Sequence, residues 1–347
     1  MNRSDEPAPK PYKLISFPPS PPQRAVPMGR AQVQAQCHTG WLEIQFETLT
    51  PIQVASGITD FVRAGGQDQL ALMQITLDRY KDDDSGDVTS KAILPGSSIK
   101  GALRSLVEML SPSCVLVFNR FTRNAVPRRL SSCGGSHSLC PACRLFGTQD
   151  YQGQLSFGDA LVPDGFLSLL GTPLLWQPAR SEGRGLPGRY LAGQEAAGRK
   201  LYEHREPASG PDPRLVIREG ARIPFRLSFT NLTAAELGLL LTALGQHPEK
   251  PFFFKLGAGK PVGLGSIEAK IKTAALITGT DAIRKAGRLG KANERGEKLE
   301  DAALTERIKQ WTKQATEQQT LLAKQLEEVA QTLRRENLYQ PAPSGLY

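Results

Sequence analysis

Four cysteines in the middle of the chain have the spacing of a metal site. Cys140 and Cys143 form a Cys-x-x-Cys pair. Two thiolates at that spacing can bind one tetrahedral zinc ion, and two further ligands close a structural site. The preferred completions are Cys114 and Cys133, with His137 as the substitute for either. The alternative is a set of unrelated thiols. Redox chemistry is not expected, because no thioredoxin-like strand and helix surround the pair.

A second segment combines small polar residues with cations. Residues 95–104 read PGSSIKGALR, in which Ser97 or Ser98 can cap a starting helix. The first turn of a helix presents unpaired N–H groups and partial positive charge, which suit phosphate. Lys100 and Arg104 lie one turn apart on the same helix. These four side chains are the predicted phosphate contacts, and a capped helix with surface cations is the alternative.

A third segment is a glycine-rich loop, GAGKPVGLG at residues 257–265. Glycines around Lys260 allow a second backbone, such as a ribose-phosphate chain, to come close. The loop is not a nucleotide-binding P-loop, because no Ser or Thr follows Lys260 and Pro261 lacks the N–H that a phosphate cradle needs. The predicted RNA contacts in this loop are Gly257, Gly259, Lys260 and Gly263. A tight hairpin is the alternative.

Charge and composition favour a polyanionic partner. The net charge is +9 over 347 residues, and a lysine or arginine that contacts a phosphate releases a counterion. No run approaches the ~18 apolar residues that a membrane span needs, so no membrane association is expected. The amino-terminal segment is too polar and proline-rich for a signal peptide, which indicates a cytoplasmic protein. An odd cysteine count argues against disulfides, and Cys37 is predicted to stay free.

The elements that must position these motifs fall into three parts. Residues 1–36 are predicted to form an extended, basic, proline-rich arm, because closely spaced prolines exclude a helix. Residues 37–277 are the folded domain. It begins with a strand at 41–49, continues with the helix after Pro95, and ends with a helix at 231–244 followed by strands around the glycine loop. That order predicts an α+β fold of ferredoxin type.

The third part, residues 278–347, is predicted to be a basic linker followed by one long helix. Between residues 300 and 336 the sequence contains neither Gly nor Pro. Apolar residues from Leu304 to Leu333 follow a 4-3 stripe that Gln318 interrupts. Such a helix can dock on a neighbouring subunit or on its own domain.

Together and in this order, the motifs resemble the RAMP superfamily of CRISPR-associated proteins, specifically backbone-type subunits of type III effector complexes. The likeness spans about residues 41–273 and is carried by residues 94–104, 140–147, 198–204, 231–238 and 257–265. The resemblance implies a ferredoxin-like, RNA-recognition-type core with zinc-knuckle and loop insertions and a projecting thumb. It also implies three kinds of partner: guide CRISPR RNA held by its backbone, target RNA, and other protein subunits of the effector complex.

The chain departs from that pattern where target RNA would be cut. Cleaving members carry an Asp between the first strand and the Pro-Gly-Ser-Ser motif, commonly in an Ile-Asp-x-Pro-like context that is absent here. Asp60, Asp68 and Asp78 lie in the corresponding segment, and Asp68 is the candidate. The alternative for Asp68 is a solvated loop carboxylate, so cleavage stays open.

Two other functions compete with the scaffold role. The first is a stand-alone endoribonuclease that processes guide RNA, with His204 near Tyr202 and Lys200 as the plausible catalytic cluster. The second is a zinc-stabilised nucleic-acid module outside CRISPR biology. For the RNA-binding scaffold, an aromatic content of 7% favours phosphate and 2′-hydroxyl contacts over base stacking.

Overall fold

The computed structural model describes residues 10–81, 88–116, 124–175, 190–277 and 297–343. The first residues of the predicted arm and residues 278–296 of the predicted linker lie outside the described residues. The strands are β1 (Tyr12–Ser16), β2 (His38–Thr48), β3 (Ala55–Ala64), β4 (Gln67–Gln74), β5 (Thr76–Lys81), β6 (Val88–Leu94), β7 (Leu155–Phe157), β8 (Ala160–Leu161), β9 (Leu167–Thr172), β10 (Leu191–Ala192), β11 (Glu195–Ala196), β12 (Gly198–Tyr202), β13 (Asp212–Ile217), β14 (Arg222–Leu232), β15 (Phe254–Lys255), β16 (Ser266–Ile277) and β17 (Glu297–Leu299). The helices are α1 (Gly96–Leu110), α2 (Pro141–Phe146), α3 (Ala234–Ala243), α4 (Asp301–Glu317) and α5 (Ala323–Thr332).

The central sheet has the order β15-β16-β2-β14-β7, with β17 paired to β16. Each neighbouring pair in it is antiparallel. Helix α1 follows β2 and helix α3 follows β14, so the chain runs β2–α1–β7–β14–α3–β16. This is the split βαβ arrangement of a ferredoxin-like unit. The α+β class predicted from the element order is therefore confirmed.

Alternation along the strands determines which face of this sheet is buried. On β2, Leu42, Ile44 and Phe46 are buried, as expected for side chains two residues apart. Phe46 stacks on Phe225 of β14 with ring centroids 5.2 Å apart. The intervening positions of β2 are partly exposed and leave an open face, on which Glu43 pairs with Arg226.

The predicted apolar face of α1 is confirmed, because Ile99, Leu103, Leu106 and Leu110 are all buried. Helix α3 differs from the amphipathic helix predicted over 231–244. Its residues from Ala235 to Ala243 are buried on all sides, because α4 covers the face that the sheet leaves open. A Cβ on Gly238 would lie 2.0 Å from the Trp311 carbonyl oxygen, so the small residue permits the close approach of α3 and α4.

The amino-terminal arm contains no helix in its described part, but it is bound to the domain instead of extending from it. Strand β1 pairs antiparallel with β12, with Tyr12 opposite Tyr202. The Ser16 Oγ donates to Glu328 of α5 at 2.7 Å. Asn231 Nδ2 donates to the carbonyl oxygens of Gly29 and Gln32. Long-range pairing thus joins the predicted arm to the predicted core and tail.

The prediction of a single long carboxy-terminal helix over residues 300–336 is wrong. The segment forms α4 and α5, separated by a turn in which Gln319 has a φ of +54°. The turn redirects the chain from α3 towards α1, where the Leu322 N–H donates to the Leu110 carbonyl oxygen at 2.8 Å. Both helices dock on their own domain, which is one of the two alternatives that the stripe allowed.

A second sheet lies beside the central one. Strands β3 and β4 form a hairpin that turns at Gly65 and Gly66 and belongs to a sheet of order β3-β4-β13-β9. Ile58, Phe61 and Leu70 on this hairpin are more than half exposed. Within the described residues, no helix has the length and apolarity of a membrane span.

Candidate nucleic-acid interface and metal centre

A cleft of about 490 Å³ lies where α1, β12 and the glycine loop meet. Its apolar walls include Val54, Leu106, Met109 and Leu201. Its polar lining residues are Ser98, Ser105, Lys200, Tyr202, Lys255 and Lys260. None of the described lining residues is acidic. The fold therefore joins three segments that the sequence could only treat separately.

The start of α1 is capped differently from the sequence prediction. Pro95 is the N-cap residue, and neither Ser97 nor Ser98 caps the helix. Instead, the Gly96 N–H donates to the Asp159 Oδ1 at 2.8 Å. The Asp159 carboxylate thus occupies the positive end of the helix, so the helix terminus itself is not an open phosphate site. Ser98 is half-buried in the cleft and Ser97 is exposed.

The glycines of the loop serve the protein's own packing. Gly257 has a φ of +86°, and a Cβ there would lie 2.3 Å from the Gln53 carbonyl oxygen. Gly263 has a φ of +92°, and a Cβ there would lie 2.5 Å from the Glu206 carbonyl oxygen. Gly259 is also left-handed, with a φ of +67°. The predicted close approach therefore occurs, but the neighbouring backbone belongs to this chain, and Lys260 is the member whose side chain lines the cleft.

Lys200 lies on β12 inside a group of three tyrosines. Its Nζ is 4.6 Å from the ring centroid of Tyr12, 4.7 Å from that of Tyr202 and 5.3 Å from that of Tyr190. Cation–π contacts hold a lysine ammonium without neutralising it. The three tyrosine rings therefore position the Lys200 side chain in the lining of the cleft.

Lys255 and Lys260 line the inner part of the cleft. Lys255 is 5% exposed, and its Nζ donates to the Glu203 carbonyl oxygen at 3.2 Å. Burial, with Lys260 and Arg205 nearby, lowers the pKa of Lys255 to about 7. Burial also lowers the pKa of Lys260. In the described part of the chain, no carboxylate lies within ion-pairing distance of Lys200, Lys255 or Lys260.

Sequence reasoning missed Lys255 and assigned Lys200 only to the competing nuclease. Lys255 lies five positions before Lys260, next to the glycine loop, and this spacing was the available signal. Lys100 lies at the start of the second turn of α1 and is half-buried, outside the lining of the cleft. Burial, followed by the charge of Arg104, lowers the pKa of Lys100.

Arg104 does not extend the cleft as predicted. Its Nε donates to the Glu108 Oε1 at 2.8 Å, and one terminal nitrogen donates to the Gly147 carbonyl oxygen at 2.8 Å. The Glu108 side chain is 2% exposed, and a buried carboxylate needs cationic partners. Arg199 supplies the second one. The ion pair with the buried Glu108 carboxylate therefore holds the Arg104 side chain inside the protein.

His204, the proposed centre of a processing nuclease, is fully buried. Its Nδ1 is 2.9 Å from the Ser266 Oγ and its Nε2 is 3.3 Å from the Phe253 carbonyl oxygen. Burial, with the Lys255 charge as a second cause, lowers the pKa of His204 to about 3. A neutral, enclosed imidazole is a structural group, and it has no access to an RNA substrate.

Asp68 is exposed on β4, opposite Arg63 and near the hairpin turn. The hairpin begins at Ala55, which lines the cleft, and at about 3.3 Å per residue its turn lies roughly 25 Å further along the strand. Asp60 is exposed on β3 as well. The side chain of Asp78 lies outside the described residues. The structure thus keeps Asp68 apart from the lysine-lined cleft.

The four cysteines form one cluster. The Sγ atoms of Cys114, Cys133, Cys140 and Cys143 all lie within 4.8 Å of one another. Cys114 Sγ is 3.6 Å from the Sγ atoms of both Cys140 and Cys143. Thiolates at the zinc–sulfur distance of about 2.3 Å in a tetrahedron would be about 3.8 Å apart, so the donor set fits a metal ion. His137 is exposed and lies outside the cluster, which excludes it as the substitute ligand.

Hydrogen-bond donors surround these sulfur atoms. Arg24 Nε donates to the Cys133 Sγ at 3.4 Å, and the Cys140 N–H donates to the same atom at 3.3 Å. Hydrogen bonds from Cys114, the other thiols and Arg24 hold the pKa of Cys133 far below its ordinary value. The Cys114 thiol lowers the pKa of Cys140 to about 7. The same network of thiol hydrogen bonds raises the pKa of Cys114 and of Cys143. The thiolate form, which is the form that binds metal, is therefore favoured at Cys133 and Cys140, and a metal ion held by all four sulfur atoms would displace the protons of Cys114 and Cys143.

The family comparison covers the same region. A model described as the RAMP superfamily matches residues 45–268. The match begins in β2 and ends in β16, so it includes the four cysteines and the segments that form the cleft. No curated protein matches the chain.

Proposed function

Because this chain belongs to the RAMP superfamily, we propose that it is an RNA-binding subunit of a type III CRISPR effector complex. In this role it holds guide RNA by the sugar-phosphate backbone and positions target RNA. The observation that carries the proposal is the cleft, in which Lys200, Lys255 and Lys260 converge without an acidic lining residue. Cations without an acidic partner attract phosphates of any sequence.

The environment of His204 gives less support to the alternative function, a guide-RNA-processing endoribonuclease. Its candidate base, His204, is enclosed and its ring nitrogens contact Ser266 and a backbone carbonyl. The lysines instead supply positive charge, and charge suits holding a strand. We therefore favour the scaffold role over the processing role.

Binding of a guide-length single-stranded RNA across a salt series tests the proposal. Lys200→Ala and Lys260→Ala should each weaken binding for all sequences and reduce the salt slope by about 0.7 to 1 unit. Lys270→Ala is the matched control, because Lys270 pairs with Glu47 and Glu268 on the open face of the sheet. If a variant that combines Lys200→Ala with Lys260→Ala keeps the wild-type affinity and salt slope, the RNA lies on another surface.

A backbone-type subunit should also bind guide RNA with a length-dependent number of protein chains per RNA. Subunits that stack along a guide should bind in greater number as the guide is lengthened. Native mass spectrometry of the chain with RNAs of about 20, 30 and 40 nucleotides measures this number directly. A constant ratio of one chain to one RNA would contradict the stacking role while leaving RNA binding intact.

We also propose that the cysteine cluster binds structural zinc. All four coordination positions are supplied by Cys114, Cys133, Cys140 and Cys143, which leaves none for a catalytic water. Zinc there would join the loop after α1 to α2. The role is one of folding and stability.

Target cleavage, if this copy performs it, is assigned to Asp68. The supporting observation is its exposure on the β3–β4 hairpin, where an RNA strand can reach it. Reassembled complex with Asp68→Asn should lose cleavage of matched target RNA, whereas Asp60→Asn should keep it. Unchanged cleavage by Asp68→Asn would remove this assignment.

A further inference from the structure

Lys255 is buried, and no carboxylate among the described residues pairs with its amine. Its side chain lines the cleft, yet the residue is 5% exposed. A charged amine has three protons to donate, and the recorded acceptor is the Glu203 carbonyl oxygen at 3.2 Å. A buried ammonium without an opposing charge is costly. The Lys255 amine is therefore a buried cationic group without an anionic partner among the described residues.

The charged groups around Lys255 do not supply that anion. The Glu203 carboxylate is engaged by Arg205, with Lys13 at 4.0 Å. Arg205, Lys200 and Lys260 are cations, and His204 is neutral. The α1 residues that line the cleft have no ionisable side chain, Tyr202 of β12 contributes a phenol, and Ser266 of β16 contacts His204. Every neighbouring element thus leaves Lys255 in a positive or neutral surrounding.

We propose that Lys255 is a phosphate-binding residue of the cleft and that it takes up a proton when the RNA phosphodiester binds. This inference rests on the proposed function, because it assumes that RNA enters the same cleft. The bound phosphate places a negative charge next to Lys255, where the protein has none, and this charge favours the protonated form of the Lys255 amine. RNA binding and protonation of Lys255 are consequently coupled, and each favours the other.

The direction of the pH effect follows from the free protein. Burial lowers the pKa of Lys255 to about 7, so in the free protein the amine is mostly neutral at pH 8.5 and mostly charged at pH 6. An anion within a few ångströms raises such a pKa by about 1 unit or more. Affinity should therefore increase as the pH falls from 8.5 to 6.5, by about 5- to 10-fold. Near pH 7.5, binding should take up about half a proton.

Isothermal titration calorimetry with a guide-length single-stranded RNA tests this coupling in the full chain. At pH 7.5, buffers of different ionisation enthalpy report the number of protons taken up on binding. The wild type should show uptake, and Lys255→Arg should bind without it, because guanidinium stays charged. Lys255→Met should bind more weakly at pH 6.5 and lose the pH dependence. Lys270→Met is the control and should retain both the wild-type affinity at pH 6.5 and the pH dependence.

Wild-type binding without proton uptake, and with equal affinity at pH 6.5 and 8.5, would overturn the inference. So would a pH dependence that persists in Lys255→Met, because it would belong to another group. In both cases a continued loss of affinity in Lys260→Ala would leave the proposed function standing. If neither Lys200→Ala nor Lys260→Ala affects RNA binding, the cleft is not the RNA site, and both the proposed function and the inference fail.

Discussion

The guanidinium of Arg104 donates to the Sγ of Cys143 over 3.5 Å, so the helix that lines the cleft contacts the cysteine cluster directly. The same guanidinium pairs with Glu108, which also pairs with Arg199 of β12. Lys200, the next residue on β12, lines the cleft. Polar contacts thus run from the proposed metal centre to Arg199, and Arg199 is bonded through the backbone of β12 to Lys200 of the proposed RNA site.

The first prediction concerns zinc. Elemental analysis of the purified protein should return about one zinc per chain, and removal of the metal should lower the melting temperature, because binding energy at a closed site is folding energy. Cys143→Ser should lose the metal, whereas Cys37→Ser should keep it, because Cys37 lies outside the cluster. Metal-free protein that melts like the native form would contradict a structural role.

The second prediction separates Arg104 from RNA binding. Arg104→Ala should destabilise the fold by about 2 to 4 kcal/mol, because it removes one partner of a buried carboxylate. The folded protein should keep the wild-type salt slope for RNA, since Arg104 faces Glu108 and not the cleft. Urea unfolding and RNA titration measure the two effects. A reduced salt slope with unchanged stability would support the original sequence interpretation.

The third prediction concerns acid stability. The folded pKa of His204, about 3, lies below the ordinary value near 6.5. In this interval the unfolded chain binds more protons than the native one, so stability is present above pH 6.5 and falls as the pH decreases towards 3. The loss should be about 2 kcal/mol at pH 5. His204→Gln should reduce this loss, and urea unfolding at pH 7.5 and 5 measures it. An equal loss in the variant would assign the effect to other groups.

The fourth prediction tests what the loop glycines do. Gly263→Ala should destabilise the protein by about 2 kcal/mol or more, because the new Cβ combines a positive φ with a backbone clash. Gly57→Ala is the matched control, because Gly57 has a φ of +84° and open space around its Cβ position. It should cost about 1 kcal/mol. Equal melting temperatures for the two variants would show that packing against Glu206 is unimportant.

The fifth prediction concerns truncation of the chain after residue 278, which removes α4 and α5. In the structure, Trp311 is 2% exposed and α4 covers α3, so truncation uncovers a large apolar surface. The truncated chain should be less stable or aggregate, as measured by thermal unfolding and light scattering. A stable, monomeric core would mean that α4 and α5 are accessory.

Much of the fold was readable from local patterns. The burial of Ile99, Leu103 and Leu106 on α1 followed from helical periodicity, and the alternation on β2 followed from strand periodicity. The element order predicted the α+β class. The break between α4 and α5 was not predicted, because residues 300–336 contain no helix breaker and docking on α3 and α1 decides where the chain turns.

By itself, the sequence predicted that the thiols of Cys140 and Cys143 could share one metal ion and that the glycine loop with Lys260 is a site of close backbone approach. These properties depend on residues a few positions apart, and covalent spacing already restricts their geometry. Only the tertiary structure decided that Cys133 and not His137 completes the cluster, that Arg104 turns towards Glu108, and that Lys255 lines the same cleft as Lys200. Those outcomes depend on burial and charge contributed by segments distant in the chain, which no local spacing encodes.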